Sequence, residues 1–236
     1  MMLLLDVGNS RVKWRLVGRS VHSAGIATHA ALGDLAATLE TPSITRVLGS
    51  NVAGDEIATT LSAMVARRGL SLEWIVASAE RCGVTNLYTH PTQLGVDRWA
   101  ALIGARARHP RATLVVMAGT ATTIDMLAAN GHFLGGLILP GVHLMRQALA
   151  ANTAQLGGRA GRLAPVPRNT ADAIFSGCLH AQAGAIERMF RQLQEPYAKC
   201  LLSGGGADDI APLLDIAVQR VDNLVLDGLL QLARET

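Results

Sequence analysis

The sequence predicts an α/β protein of two lobes, each a mixed β-sheet flanked by helices, with a cleft between them. Three observations lead there. An apolar strand that runs into a glycine-containing polar turn occurs at Leu3–Ser10 and again at Leu114–Thr120. Each of these turns is followed by another strand pattern and then by helices and strands in alternation, so the chain repeats its own grammar. Finally, 236 residues, 50% of them hydrophobic, suffice for two packed cores.

The elements follow in order. Leu3–Leu5 reads as a buried strand, and Val12–Val17 as one whose Trp14 and Leu16 alternate with Lys13 and Arg15. His22–Ile26 is a third strand. Leu32–Leu39 has a helical pattern, closed by Thr41-Pro42 because the residue before a proline is pushed out of helical geometry. Arg46–Ser50 reads as a strand, Glu56–Arg68 as a helix stopped by Gly69, and Leu72–Val76 as a strand. Cys82–Gly95 is rich in turn formers and has no period. A helix then runs from Asp97 through Trp99, Leu102 and Ile103 to Arg108, ahead of Pro110. The second set opens with ATLVVMAGTATTIDML, two strands about the Gly119-Thr120 turn, and GHFLGGLILPG adds a third. Helices are expected over Val142–Ala151 and Thr170–Gln194, the second with an interruption near Ser176-Gly177 left open. KCLLSGGGADDIAPLL reads as strand, glycine turn and helix, and Leu224–Arg234 as a closing helix. The lobes are expected to comprise residues 1–110 and 111–236.

Composition narrows the function classes. Aromatics are only 3%, and the Lys and Arg behind the formal charge of +3 are scattered, so no nucleic-acid partner is expected. A mild positive excess suits an anionic small-molecule substrate instead. Cys82, Cys178 and Cys200 form no CxxC pair, and none of the seven histidines falls in an HExxH or HxH pattern, which argues against zinc and disulfide frameworks. The opening apolar run ends at Asp6 after three leucines, too short for a signal peptide, and no run reaches the length of a bilayer span. A soluble, cytoplasmic protein without membrane association is expected.

The residues most suited to chemistry lie at the first turn. In Asp6-Val7-Gly8-Asn9-Ser10, a glycine just past the strand permits a tight bend and brings main-chain N–H groups close to an anion. Asn9 and Ser10 add donors, Asp6 is placed to hold magnesium or its water shell, and Lys13 can neutralise phosphate charge. A polar β-hairpin turn is the plain alternative. The second copy, Gly119-Thr120-Ala121-Thr122-Thr123, strengthens the phosphate reading, because two such turns could hold a triphosphate from both sides. A third glycine turn, Gly204-Gly205-Gly206, precedes a helix start. Asp97, next to Arg98 at a helix start, reads on spacing alone as a cap.

The motifs together resemble the type III pantothenate kinases of the acetate kinase/Hsp70/actin superfamily. DVGNSRVKW is similar to that family's first phosphate motif, GVDRW to its pantothenate motif, and GTATTID to most of its second phosphate motif. NLYTHPTQLGVDRW, GGLILPG and NTADAIFSG follow in matching order. The resemblance implies ribonuclease H-like, actin-like ATPase lobes and ATP-dependent phosphorylation of pantothenate with Mg2+. It implies that Asp6, Val7, Gly8, Asn9, Ser10, Arg11, Val12 and Lys13 line the ATP phosphates, joined by Thr120. Asp97 becomes the general base, and Tyr88 with Gly95, Val96, Asp97 and Arg98 forms the pantothenate pocket. Thr170 is implied to reach pantothenate across a homodimer interface. One position departs: Met117 stands where the family has an aspartate tied to potassium or ammonium, and a thioether is a poor ligand for a hard cation. That substitution keeps open a catalytically weak, accessory nucleotide-binding role, and a kinase for a sugar or short acid is a third reading.

Overall fold

The computed structural model describes residues 1–152 and 160–235, which fall into two compact units. One comprises Met1–Arg108 together with Leu224–Thr236, the other His109–Asn223.

The first unit opens with β1 (Met2–Val7), β2 (Arg11–Val17) and β3 (Val21–Thr28), followed by α1 (Gly33–Leu39), β4 (Arg46–Asn51), α2 (Asp55–Ala66) and β5 (Leu72–Trp74). The short strands β6 (Glu80–Arg81) and β7 (Val84–Asn86) form a hairpin before a 3-10 turn at Pro91–Gln93 and helix α3 (Val96–Arg108). The second unit contains β8 (Thr113–Ala118), β9 (Ala121–Leu127), β10 (His132–Pro140), α4 (Val142–Asn152), α5 (Thr170–Gln192), β11 (Lys199–Ser203), the four-residue α6 (Ala207–Ile210) and β12 (Val218–Arg220). The last helix, α7 (Leu224–Glu235), returns to the first unit.

The repetition heard in the sequence is a repetition of topology. Strand order in the first unit is β3-β2-β1-β4-β5, and in the second β10-β9-β8-β11-β12. Within each, the first three strands pair antiparallel and the remaining two join parallel. β8 therefore corresponds to β1, and α7, which follows the fifth strand of its set, corresponds to α3.

Each sheet buries one face against its own helices. Leu3, Leu5 and Val7 of β1 and Val12, Trp14 and Leu16 of β2 pack with Leu35, Leu39, Ile57, Leu61 and Val65 of α1 and α2. In the second unit, Leu114, Val116, Ala118, Ile124 and Cys200 pack with Leu179, Ile186 and Ile210. Because side chains alternate across a strand, Asp6, Lys13 and Arg15 project from the opposite face of the first sheet. On that face α3 and α7 pack on one another and on β4, and α7 also on β1. Arg15 reaches Asp227 of α7 at 2.7 Å, and Arg108 of α3 reaches the same carboxylate at 2.6 Å.

Four sequence expectations change. The last helix, expected in the lobe 111–236, clusters with the first unit through its contact with α3. α5 runs unbroken through Ser176-Gly177, since both residues keep helical backbone geometry. The aperiodic Cys82–Gly95 stretch and the segment before Val221 each hold one strand of three residues, too short to leave an alternation. The helix expected after the third glycine turn is a single turn, and Gly206 spends its N–H on the carbonyl of Ala118 at 3.0 Å. Among the described residues no helix is long and apolar enough to cross a membrane.

Candidate active site

The two glycine turns sit at equivalent ends of β1 and β8. Gly8 donates its N–H to Arg11 O at 3.0 Å, and Gly119 donates to Ala121 O at 3.1 Å, so in each hairpin the turn glycine bonds the returning strand, three residues on in the first and two in the second. Asn9, Ser10, Arg11, Gly119 and Thr120 are exposed at these turns. Val7 and Val12 are not: their side chains belong to the core, which leaves only their backbone for a ligand. Gly141, just after β10, donates to Thr120 O at 2.9 Å, and a Cβ there would run into Gly119 O and stand 2.7 Å from Thr120 O.

Behind the first turn, cross-strand register puts three polar side chains in one row. Asp6 lies opposite Lys13 on β2 and opposite Ser50 on β4. Asp6 and Ser50 are buried, and the Ser50 hydroxyl has no hydrogen-bond partner. A buried hydroxyl left unmatched costs about 1–3 kcal/mol, so a ligand that supplies an acceptor or a coordinated water there is favoured. Ser50 was missed by sequence reading because a single serine in an apolar strand has no pattern; only the register brings it beside Asp6. The equivalent row in the second unit is Thr123, Met117 and Ser203, with the Ser203 hydroxyl satisfied by Asp222 O at 3.1 Å.

The third feature is the entry to α3. Asp97 stands in the first turn of the helix, which begins at Val96, and its Oδ1 accepts the N–H of Arg98 at 2.8 Å. A Cβ on Gly95 would lie 2.8 Å from that same oxygen, so glycine there makes room for the carboxylate. Burial pushes the Asp97 carboxyl above its ordinary range, opposed by the Arg98 N–H and guanidinium. Arg98 is 5% exposed, and its Nη1 donates to the Tyr88 hydroxyl at 3.2 Å. Its guanidinium lies 5.8 Å from the centre of the Tyr88 ring. The structure thus brings Tyr88, Gly95, Asp97 and Arg98 together.

Asn86 is the second residue that sequence reading missed. Its side-chain oxygen accepts the N–H of Tyr88 at 3.1 Å, while its amide donates to Pro91 O at 3.0 Å and Ser78 O at 3.4 Å. A single buried side chain thereby ties down both ends of the loop that presents Tyr88. Thr170 is placed in the second unit at the start of α5. The cap is Asn169, whose side chain accepts the N–H of Asp172 at 3.0 Å, so Thr170 is exposed and lines a shallow apolar groove with Met145, Leu149, Ala173 and Ile174. Among the described residues no three His, Cys, Asp or Glu side chains gather as a metal cluster.

Known proteins match this arrangement. The structure of MreB5 from Spiroplasma citri bound to ADP superposes with a TM-score of 0.53 at 11% identity, covering 99% of this chain and 96% of that one. The ethanolamine utilization protein EutJ of Carboxydothermus hydrogenoformans gives 0.53 at 14% identity, with 98% and 88% covered. The fold is therefore the actin-like ATPase type. The type III pantothenate kinase of Aromatoleum aromaticum is 58% identical, covering 100% of this chain and 98% of its own, and that of Dechloromonas aromatica is 48% identical, with 99% of each covered. The sequence pattern of the type III pantothenate kinases matches residues 2–192, from the first strand to the end of α5. By this match and these identities the chain belongs to the type III pantothenate kinase family.

Proposed function

We propose that this chain is a pantothenate kinase, transferring the γ-phosphate of ATP to the 4′-hydroxyl of pantothenate, the first step of coenzyme A biosynthesis. The observation that carries the reading is the α3 entry, where a carboxylate of raised pKa adjoins a buried guanidinium that holds the Tyr88 hydroxyl. Identities of 41–58% to type III pantothenate kinases support it.

Phosphoryl transfer asks for positioning and charge stabilisation more than for covalent help. Asp97 takes the proton of the primary alcohol as its oxygen attacks the γ-phosphorus, and ADP leaves. Tyr88, Gly95, Val96 and Arg98 hold the vitamin. Asp6 to Lys13 line the phosphates, Val7 and Val12 through their backbone, and Thr120 is assigned to the same ligand. Bound Mg2+ neutralises phosphate charge. The residues present fit it, since magnesium takes one or two carboxylates plus waters, and Asp6 has the orphaned Ser50 hydroxyl for a neighbour. A monovalent cation is a different matter: Met117 offers sulfur where potassium or ammonium needs oxygen, and no role is assigned to such an ion.

The same reading includes a cytoplasmic homodimer. Leu144 and Leu149 of α4 are exposed, and Leu149 lines the apolar groove that contains Thr170, a surface suited to a second copy. Thr170 would then reach pantothenate bound by the other subunit.

The test is an ADP-coupled assay with pantothenate and Mg·ATP, with the product identified by mass. We expect 4′-phosphopantothenate, at a rate that changes by no more than about twofold when potassium replaces sodium, because a thioether does not bind hard cations. Nucleotide binding without turnover in either salt would contradict the kinase reading and favour an accessory nucleotide-binding protein.

A further inference from the structure

The first phosphate turn has a brace that the family motifs do not include. His29, the residue after β3, places its Nε2 2.9 Å from the carbonyl oxygen of Gly8. A carbonyl only accepts, so Nε2 carries the hydrogen and donates it. The Gly8 N–H is already committed to Arg11 O at 3.0 Å, so both peptide groups flanking the Gly8 Cα are fixed.

This has a directional consequence. In a planar trans peptide the C=O and the following N–H point to opposite sides. Tying the Gly8 carbonyl to His29 therefore turns the Asn9 N–H away from the histidine, out of the exposed side of the turn. Without the brace, glycine's freedom at position 8 allows that peptide plane to rotate.

The second unit contains the same device built from other atoms. There the residue after the third strand is Gly141, and its backbone N–H holds Thr120 O at 2.9 Å. In each unit, then, the first residue beyond the third strand donates a hydrogen bond to a carbonyl of the glycine turn. A partly buried histidine side chain performs in one unit what main chain performs in the other.

We infer that His29 is a positioning residue for ATP, fixing the Gly8–Asn9 peptide so that the Asn9 N–H is presented to the nucleotide phosphates. The inference rests on the reading of residues 6–13 as the phosphate site. It is tested by calorimetric titration of full-length protein with the magnesium complex of a non-hydrolysable ATP analogue, comparing wild type, His29→Ala, His29→Gln and Lys13→Ala. Loss of one oriented hydrogen bond predicts a Kd about five- to tenfold weaker for His29→Ala, with pantothenate KM and Tm little changed. His29→Gln, whose Nε2 donates in the same place, is expected to bind within about twofold of wild type. Unchanged affinity in His29→Ala, or equal losses in the Ala and Gln variants, would overturn the inference while Lys13→Ala still binds weakly. Wild-type affinity in Lys13→Ala would refute the phosphate-site reading itself, and the proposal with it.

Discussion

Asp97→Asn is expected to lower turnover by about a hundredfold or more, the usual worth of a positioned general base. Affinity for Mg·ATP should stay at the wild-type level, because Asp97 lies at the start of α3 and not in the Asp6–Lys13 turn. The substitution also separates catalysis from folding. Burial raises the Asp97 pKa, so ionising it costs more in the folded chain than in the unfolded one, and above that pKa the charge lowers stability. Asparagine keeps the oxygen that accepts the Arg98 N–H and carries no charge. At neutral pH the variant should therefore melt no lower than wild type while losing turnover. The pH profile carries the same signature. Wild-type turnover should climb with pH as the carboxyl deprotonates, along an acid limb lying above the range of an exposed aspartate, and the variant should lack that limb. Turnover near the wild-type level in Asp97→Asn would remove this residue from the mechanism.

The largest effect on stability is expected at the contact of α3 with α7. A Cβ on Gly228 would strike the backbone of Ala100, and one on Gly104 would strike Leu224 O and lie 2.9 Å from Gly228 N. Main chain blocks both positions, so the helices would have to move apart. Helix propensity alone predicts that Gly→Ala stabilises by about 1 kcal/mol. Overpacking against backbone costs about 1–3 kcal/mol and sometimes more, so it wins here. Gly228→Ala should thus destabilise by about 2 kcal/mol, a fall in Tm of roughly 4–8 °C for a chain of this size. Gly184→Ala in α5, where a Cβ meets nothing within 4 Å, is the control and should raise Tm slightly. Turnover should fall with Gly228→Ala as well, because α3 carries Asp97 and Arg98. A variant as stable as wild type would show that the helices do not approach this closely.

Much of the fold was legible because its signals are local. The polar turn after Leu3–Leu5 and its counterpart after Val116 announced a duplicated strand-turn-strand, and the five strands β1–β5 share their order with β8–β12. The start of α3 was legible because Gly95, Asp97 and Arg98 adjoin in sequence, although spacing alone made Asp97 a cap and only the family resemblance made it a base. What escaped depends on tertiary neighbours. Ser50 acquires meaning through parallel pairing with β1, Asn86 through three contacts around its loop, and His29 through a carbonyl 21 residues earlier. The place of α7 was illegible for a related reason. Its amphipathic pattern predicts a helix but not which sheet it covers, and the close approach at Gly104 and Gly228 decides that.

The most direct measurement is a structure of the protein with magnesium, a non-hydrolysable ATP analogue and pantothenate. The phosphates should lie against residues 6–13 and Thr120, with the 4′-hydroxyl of pantothenate within hydrogen-bonding distance of the Asp97 carboxylate. A triphosphate bound elsewhere, or a hydroxyl out of reach of Asp97, would contradict the assignment of both turn and base.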